Sequence, residues 1–336
     1  MNYASVCDGI GAAHVAWQPL GWECRWTSEI EPFPAEVVRQ RWGFQNYGDA
    51  LLHDGAVDAL PFMRWEDEGA KQLELIVSGT PCQSFSVAGL RQGLKDPRGG
   101  LMLTFVEIAQ RYRPRWLVWE NVPGVLSSDG GRDFGALLGA LGHLGYGWAY
   151  RVLDAQWFGV AQRRRRVFLV GCIGEGRSAS AVLFERESVC RDHPPQREEV
   201  KAHPSSNTAR RTYECGIEAV TIPGHASIPF AKSRRAQSST DDETWIPGDV
   251  APTLNCFDQG DTRATVAVVS GLRVRRLTTR EWERLQGFPD DYTAIVFQGR
   301  PAADGPRYKA IGNSMAVPVM RWIGERIAMV ETKVTQ

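Results

Sequence analysis

The segment Ser78-Gly79-Thr80-Pro81-Cys82-Gln83-Ser84-Phe85-Ser86 presents a thiol just after a short apolar run, Leu73-Glu74-Leu75-Ile76-Val77. The run is β-branched and stops at Gly79 and Pro81, which predicts a buried strand feeding a loop. Cys82 then sits at the C-terminal edge of that strand, where ligands bind in open α/β sheets and where a thiolate can act as a nucleophile. A cysteine alone is more often a small buried hydrophobe, so the chemistry depends on partners. Glu120 follows the apolar run Trp116-Leu117-Val118-Trp119, and a carboxyl in such surroundings can carry a proton near neutrality or, as an alternative, cap a helix. Gln162-Arg163-Arg164-Arg165-Arg166 precedes Val167-Phe168-Leu169-Val170. In an extended chain, period-two alternation sends Arg164 and Arg166 to one side and Arg163 and Arg165 to the other. A charge run is usually solvated, but four arginines against a buried strand suit phosphate contacts.

Cys7-Asp8-Gly9-Ile10-Gly11-Ala12 lies between a first strand and a helix. Its glycines fit either a tight turn or a close approach of backbone amides to a ligand. Glu29 comes about twenty residues later, at a second strand's end, where an acid commonly bonds ribose hydroxyls. Asp49, at the end of the next segment, suits an adenine amino group; either acid also fits a solvated surface charge.

These residues need a scaffold that brings strand edges together. Short apolar runs at 3–7, 24–28, 75–78, 116–119 and 167–172 read as strands, and 100–111 and 134–144 as helices. Their alternation implies a parallel, doubly wound sheet. From residue 174 to about 271 the chain is rich in Arg, Ser, Thr, Pro and Gly with weak periodicity, as in a disordered insert or a loop-built recognition lobe. Trp245, Ile246, Leu254, Phe257 and the strand-like stretch 265–269 favour the lobe. Regular patterning returns at Leu277. Thr278 or Thr279 caps a helix running through Arg284, ended by Gly287 and Pro289. A last amphipathic stretch, 317–329, carries Val319, Ile323 and Ile327 at helical spacing. Arg273, Arg275, Arg276, Arg280 and Arg284 form a second basic cluster, and Gly312-Asn313-Ser314 supplies small polar groups beside the last helix.

With 336 residues, 43% of them apolar, the chain has material for two lobes. Its formal net charge is zero, so only local clusters bear on a polyanionic partner. Seven cysteines without a Cys-x-x-Cys pair, and no paired histidine spacing among His53, His143, His193, His203 and His225, predict no zinc site. The odd cysteine count and the lack of a signal-like leader suggest reduced thiols in a cytoplasm. No run is long and apolar enough to span a membrane. Folded structure is expected from the first residues, without an N-terminal regulatory module.

Taken in order, Asp8-Gly9-Ile10-Gly11, Pro81-Cys82-Gln83, Glu120-Asn121-Val122, Gln162-x-Arg164-x-Arg166, Arg276-Leu277-Thr278 through Arg284-Leu285-Gln286-Gly287-Phe288-Pro289, and Gly312-Asn313-Ser314 resemble the blocks of DNA (cytosine-5-)-methyltransferases. They anchor nearly the whole chain except its middle. The resemblance implies an α/β fold, a doubly wound, mostly parallel sheet of the Rossmann-like S-adenosylmethionine-dependent methyltransferase type, with a smaller, irregular target-recognition domain. It divides the chain into 1–173 plus 306–336 for catalysis and cofactor and 174–305 for recognition. Carried over, Cys82 is the nucleophile, Glu120 the acid at cytosine N3, and Arg164 and Arg166 steady the base and the catalytic loop. Asp8, Gly9, Ile10, Gly11, Glu29, Ile30, Asp49, Ala50, Pro81, Leu101, Asn313 and Ser314 would line a pocket for S-adenosyl-L-methionine, released as S-adenosyl-L-homocysteine, with no metal. Gln83, Ser84, Arg98, Gln162, Arg163, Arg165 and Thr253 would contact duplex DNA.

The same resemblance implies a flipped-out cytosine, with residues 84–100 closing over it on Gly89, Gly93, Gly99 and Gly100 as hinges. Ala251-Pro252-Thr253-Leu254 resembles an element late in the recognition lobe of relatives. Many members have an aromatic residue where this chain has Cys7, which puts a contact to the cofactor adenine in doubt. The expected protein is a cytoplasmic monomer of a prokaryotic or phage-infected cell, with a cognate restriction endonuclease as an optional partner. Three rivals fare worse. Relatives acting on transfer RNA carry Cys-Phe-Thr, whereas Cys256-Phe257 is followed here by Asp258. A catalytically dead DNA-binding module leaves Cys82 and Glu120 without purpose, and a nicotinamide oxidoreductase leaves the Pro81-Cys82 and arginine blocks unexplained.

Overall fold

The computed structural model describes residues 1–50, 73–80, 97–174, 176–184, 228–234, 244–247, 251, 253, 266–270 and 273–334. The first elements are β1 (Asn2–Val6), α1 (Ala12–Trp17), β2 (Glu23–Ser28), α2 (Pro32–Trp42), β3 (Leu75–Ser78), α3 (Pro97–Tyr112), β4 (Trp116–Asn121), α4 (Arg132–His143), β5 (Tyr146–Asp154) and β6 (Arg165–Ile173). Their strands form one sheet in the order β2-β1-β3-β4-β6-β5. Strands β1 to β4 run parallel, and β6 runs antiparallel to both β4 and β5. The apolar runs are continuous because this sheet is covered on both faces. Leu75, Val77, Trp116 and Val118 point into one core with Trp17, Val319 and Ile323. Ile76, Leu117 and Trp119 alternate into a second core with Phe105, Ile108 and Leu137.

The remaining elements are α5 (Gly176–Leu183), β7 (Ile228–Arg234), β8 (Thr244–Pro247), β9 (Val266–Ser270), β10 (Arg273–Arg276), α6 (Thr279–Gln286), β11 (Val296–Phe297), β12 (Arg300–Pro301), α7 (Asp304–Asn313) and α8 (Val317–Val334). Strands β7 to β10 make a small antiparallel sheet in the order β10-β9-β7-β8. The stretch expected to be strand-like at 265–269 is β9, and Trp245 and Ile246 lie in β8.

Both ends of the span 174–305 contribute residues to the main core. Ala179, Val182 and Leu183 of α5, and Leu277, Trp282, Phe288, Tyr292 and Ile295 beyond β10, belong to the same core as α1 and α8. Polar composition marked the change in texture, but the i, i+3, i+4 apolar positions of α5 decide where it packs. Gly99 and Gly100, read as loop hinges, lie within α3, which begins at Pro97, a residue favoured in a helix's first turn. Strand β5 carried no prediction, and with β6 it makes the last third of the sheet antiparallel.

Helices α6 and α8 follow their sequence signals. Thr278 caps α6 in a capping box with Glu281, and Gly287 closes it at φ 82°. In α8, a Cβ on Gly324 would lie 2.5 Å from Trp17 Cδ1, so glycine lets α8 approach α1. There the Trp17 indole donates to the Met320 carbonyl at 2.8 Å.

Candidate active site

Because β1 to β4 are parallel, their C-terminal ends share one edge, and β6 starts at that edge because Asn121 of β4 pairs with Val167. This collects Cys7 to Gly11, Glu29, Gly79 and Thr80, Glu120 and Asn121, and Arg164 to Arg166, residues far apart in the chain.

The root of the Cys82 loop is held from β4. Thr80 is buried, and its Oγ1 accepts from Trp119 Nε1 at 3.1 Å and Asn121 Nδ2 at 3.0 Å. A Cβ on Gly79 would lie 2.7 Å from Met315 Cε and 3.9 Å from Glu120 Oε2, so the Glu120 carboxyl stands beside the chain that leads into Cys82. Arg166 Nε is 3.2 Å from Glu120 Oε1, with 14% and 10% of the two side chains accessible. Pro81, Cys82, Gln83 and Ser84, with Gly89 and Gly93, lie outside the described residues, as does the side chain of Arg98. The expected arginine alternation is present: Gln162 and Arg164 are buried, Arg163 and Arg165 exposed, and Arg166 half-buried.

The loop after β1 has the shape of a nucleoside cradle. Gly9 has φ +60°, and a Cβ there would meet nothing within 4 Å, so this face of the loop is open. Its N–H donates to Glu29 Oε2 at 2.7 Å, and the Glu31 N–H donates to Oε1 at 2.8 Å. Burial pushes the Glu29 carboxyl above the usual glutamate range, opposed by the Glu31 and Gly9 amides. Ile30, 68% accessible, presents an apolar surface next to it. Asp49 and Leu101 are half-buried, Ala50 is buried, and Asn313 is exposed at the end of α7 beside buried Ser314. An open glycine face, a carboxylate with spare lone pairs and an exposed aliphatic side chain fit a ligand carrying ribose hydroxyls and a flat base.

A family model described as C-5 cytosine-specific DNA methylase matches residues 1–329. The chain belongs to that family. It is 34% identical over 467 aligned positions to "DNA N-6-adenine-methyltransferase" of Escherichia phage P1, covering 97% of this chain but only 61% of that protein's length. It is 30% identical to "Type II methyltransferase M.HpaII" of Haemophilus parainfluenzae, over 97% of this chain and 88% of that one. A solved putative DNA modification methyltransferase encoded within an E. coli prophage superposes with a TM-score of 0.63 at 16% identity, over 99% of both chains. That likeness establishes the Rossmann-like methyltransferase fold.

Several residues expected at the base or at DNA also have partners within the fold. Arg164, expected to steady the base, is 2% accessible and donates to the carbonyls of Gly312 at 3.2 Å and Ser314 at 2.7 Å. It braces the C-terminal end of α7, where Asn313 lies. Gln162, expected at DNA, is buried and donates to the Leu285 carbonyl at 3.0 Å. Thr253 donates its hydroxyl to the Arg163 carbonyl at 2.7 Å, beside the bridge between Gln162 and Ala251. In the second basic cluster, Arg275 pairs with Glu281, Arg280 with Asp291 and Arg284 with Asp290, so these charges are largely neutralised by local carboxylates.

Sequence reasoning missed the anchoring of the nucleoside cradle. The Asp8 carboxylate, expected at the cofactor, accepts from Ser5 Oγ through Oδ1 and lies 2.8 Å from His14 Nε2 through Oδ2. His14 Nδ1 is 2.6 Å from the Tyr3 hydroxyl. A Cβ on Gly11 would come within 2.6 Å of His14 Cδ2, so this glycine serves packing, whereas Gly9 serves the open face. Cys7 leaves β1 at φ 52°, and burial pushes its thiol well above the usual range. Among the described residues, no cluster of His, Cys, Asp or Glu is placed to hold a metal, and no helix is long and apolar enough to cross a membrane.

Proposed function

We propose that the protein transfers a methyl group from S-adenosyl-L-methionine to C5 of a cytosine flipped out of a specific duplex DNA sequence. The observation that carries this reading is the Glu120 carboxyl, beside Arg166 and next to the Gly79-Thr80 root of the Cys82 loop. Cytosine C5 is a poor nucleophile. Addition of the Cys82 thiolate to C6 turns the ring into an enamine whose C5 can attack. The bound cofactor supplies the electrophilic methyl. Glu120 delivers a proton to N3 as charge develops on the ring, and Arg166 holds the O2 edge. The C5 proton then leaves to a base, for which water suffices, as the sulfur–C6 bond breaks and the thiolate is regenerated, and the N3 proton returns to Glu120.

The other residues position these groups. The Thr80–Asn121 clamp fixes the start of the catalytic loop, and Gly9, Glu29, Ile30 and Asp49 seat the cofactor with Asn313. Exposed Arg163 and Arg165 meet phosphates, and Gln83, Ser84 and Arg98 border the flipped base. We assign target recognition to the small sheet within 228–276. We read the protein as a metal-free cytoplasmic monomer that requires no restriction endonuclease.

The phage relative's name raises a second reading, methylation of an adenine amino nitrogen. That nitrogen needs no covalent activation of the ring, which would leave Cys82 without a task. Duplex DNA and transfer RNA incubated with labelled cofactor and digested to nucleosides separate the readings. Label in 5-methylcytosine from duplex DNA alone is expected; label in N6-methyladenine or in transfer RNA would overturn it. A duplex containing 5-fluorocytosine should trap the wild-type chain covalently and leave Cys82→Ala free.

A further inference from the structure

The loop from Cys7 to Gly11 is held by a residue nearly three hundred positions downstream. Tyr292 is buried, and its hydroxyl donates to the Ile10 carbonyl at 2.9 Å across 282 residues of sequence. The same hydroxyl accepts from Trp42 Nε1 at 2.8 Å, which fixes the direction in which its proton points. Tyr292 is itself held at both ends: its ring stacks on Phe288 at 4.8 Å, and its carbonyl accepts from Arg41 Nε at 2.8 Å. A Cβ on Gly11 would lie 3.4 Å from the Tyr292 oxygen, so this glycine leaves room for the hydroxyl as well as for His14.

The loop has particular need of such a strap. Cys7, Gly9 and Gly11 all have positive φ, at 52°, 60° and 79°. Glycines there leave many alternative conformations, and a site that must be ordered on binding loses affinity by that cost. Ile10 lies between the two glycines, one residue from the Gly9 amide that meets Glu29. Fixing its carbonyl fixes the Ile10–Gly11 peptide plane, two peptide units from the one that carries the Gly9 N–H.

We infer that Tyr292 is a positioning residue for the cofactor, acting through the Ile10 carbonyl to preorganise the Gly9–Glu29 clamp. This rests on reading that loop as the S-adenosylmethionine site. Tyr292→Phe deletes one oxygen and keeps the ring. Binding of S-adenosyl-L-homocysteine is measured by calorimetry at 20 °C, with kcat and the KM for S-adenosylmethionine on duplex DNA and the thermal midpoint of the unliganded protein. The loss of one buried hydrogen bond predicts a Kd and KM raised about three- to tenfold, with kcat at saturating cofactor within about twofold of wild type. Trp42→Phe, which removes the donor that orients the hydroxyl, should move Kd the same way by less. An unchanged Kd in Tyr292→Phe, even with a lowered midpoint, would make the residue merely structural and overturn the inference. A kcat loss with unchanged KM would do the same. Failure of the wild-type protein to bind the ligand would remove the cofactor reading along with it.

Discussion

Replacing Arg164 by lysine separates a strut from a base contact. The guanidinium is 2% accessible and spans two carbonyls, Gly312 at 3.2 Å and Ser314 at 2.7 Å, from the residue just before β6. A lysine ammonium is a point charge on a flexible stem and cannot reproduce the planar fork. At least one buried carbonyl then loses a charged donor, a cost of about 2–4 kcal/mol. With an unfolding entropy of about 2.1 cal/mol/K per residue over 336 residues, 1 kcal/mol is worth about 1.4 °C. Arg164→Lys should therefore lower the thermal midpoint by about 3–6 °C, read by differential scanning fluorimetry. The variant should bind S-adenosyl-L-homocysteine more weakly, because the braced helix end carries Asn313, yet still be trapped on 5-fluorocytosine DNA at saturating cofactor. A variant melting within about 1 °C of wild type but losing the adduct would refute the strut and return Arg164 to the base.

Three further outcomes follow from the same geometry. The raised Glu29 pKa means that the folded chain binds a proton there more readily than the unfolded chain, so this group's stabilising contribution is present at low pH and lost as pH rises from about 4.5 through the folded value. Ribose hydroxyls are best accepted by the ionised form, so cofactor affinity should fall on acidification with a midpoint above 4.5, and Glu29→Gln should abolish that dependence in calorimetric titrations. Substituting both Arg163 and Arg165 by glutamine should weaken binding to all duplexes and reduce the slope of log K against log salt by about 2, with the thermal midpoint unchanged. Gly324→Ala places a methyl against the Trp17 ring and should cost about 1–3 kcal/mol by overpacking, seen as a lowered denaturant midpoint with catalysis intact at 20 °C.

The local signals in the sequence were strong where chemistry is local. Thr278 with Glu281 and Gly287 specified α6, and the run of arginines specified its own two-sided pattern. Apolar runs located β1 to β4 and β6 to within a few residues. The signal failed at β5, whose Gly147 and mixed aromatic pattern hide a strand that pairs with β6 and places Tyr146, Ala149 and Leu153 in the two cores. It also failed at α5, where the apolar spacing of Ala179, Val182 and Leu183 was masked by the polar sequence around a short helix.

The sequence alone determined which residue types come in which order, and hence the family and the candidate set of Cys82, Glu120, Gly9, Glu29 and the arginines. Only tertiary structure decided which of them face solvent and which serve as props. Arg164, Gln162, Asp8 and Gly11 look as available in the sequence as Arg166 and Gly9, yet Arg164, Gln162 and Asp8 have partners within the fold in Ser314, Leu285 and His14, and Gly11 packs against His14. The physical reason is that a buried polar group must be paired, and its partner can lie anywhere in the chain: 150 residues away for Arg164 and 282 for the carbonyl beside Gly11.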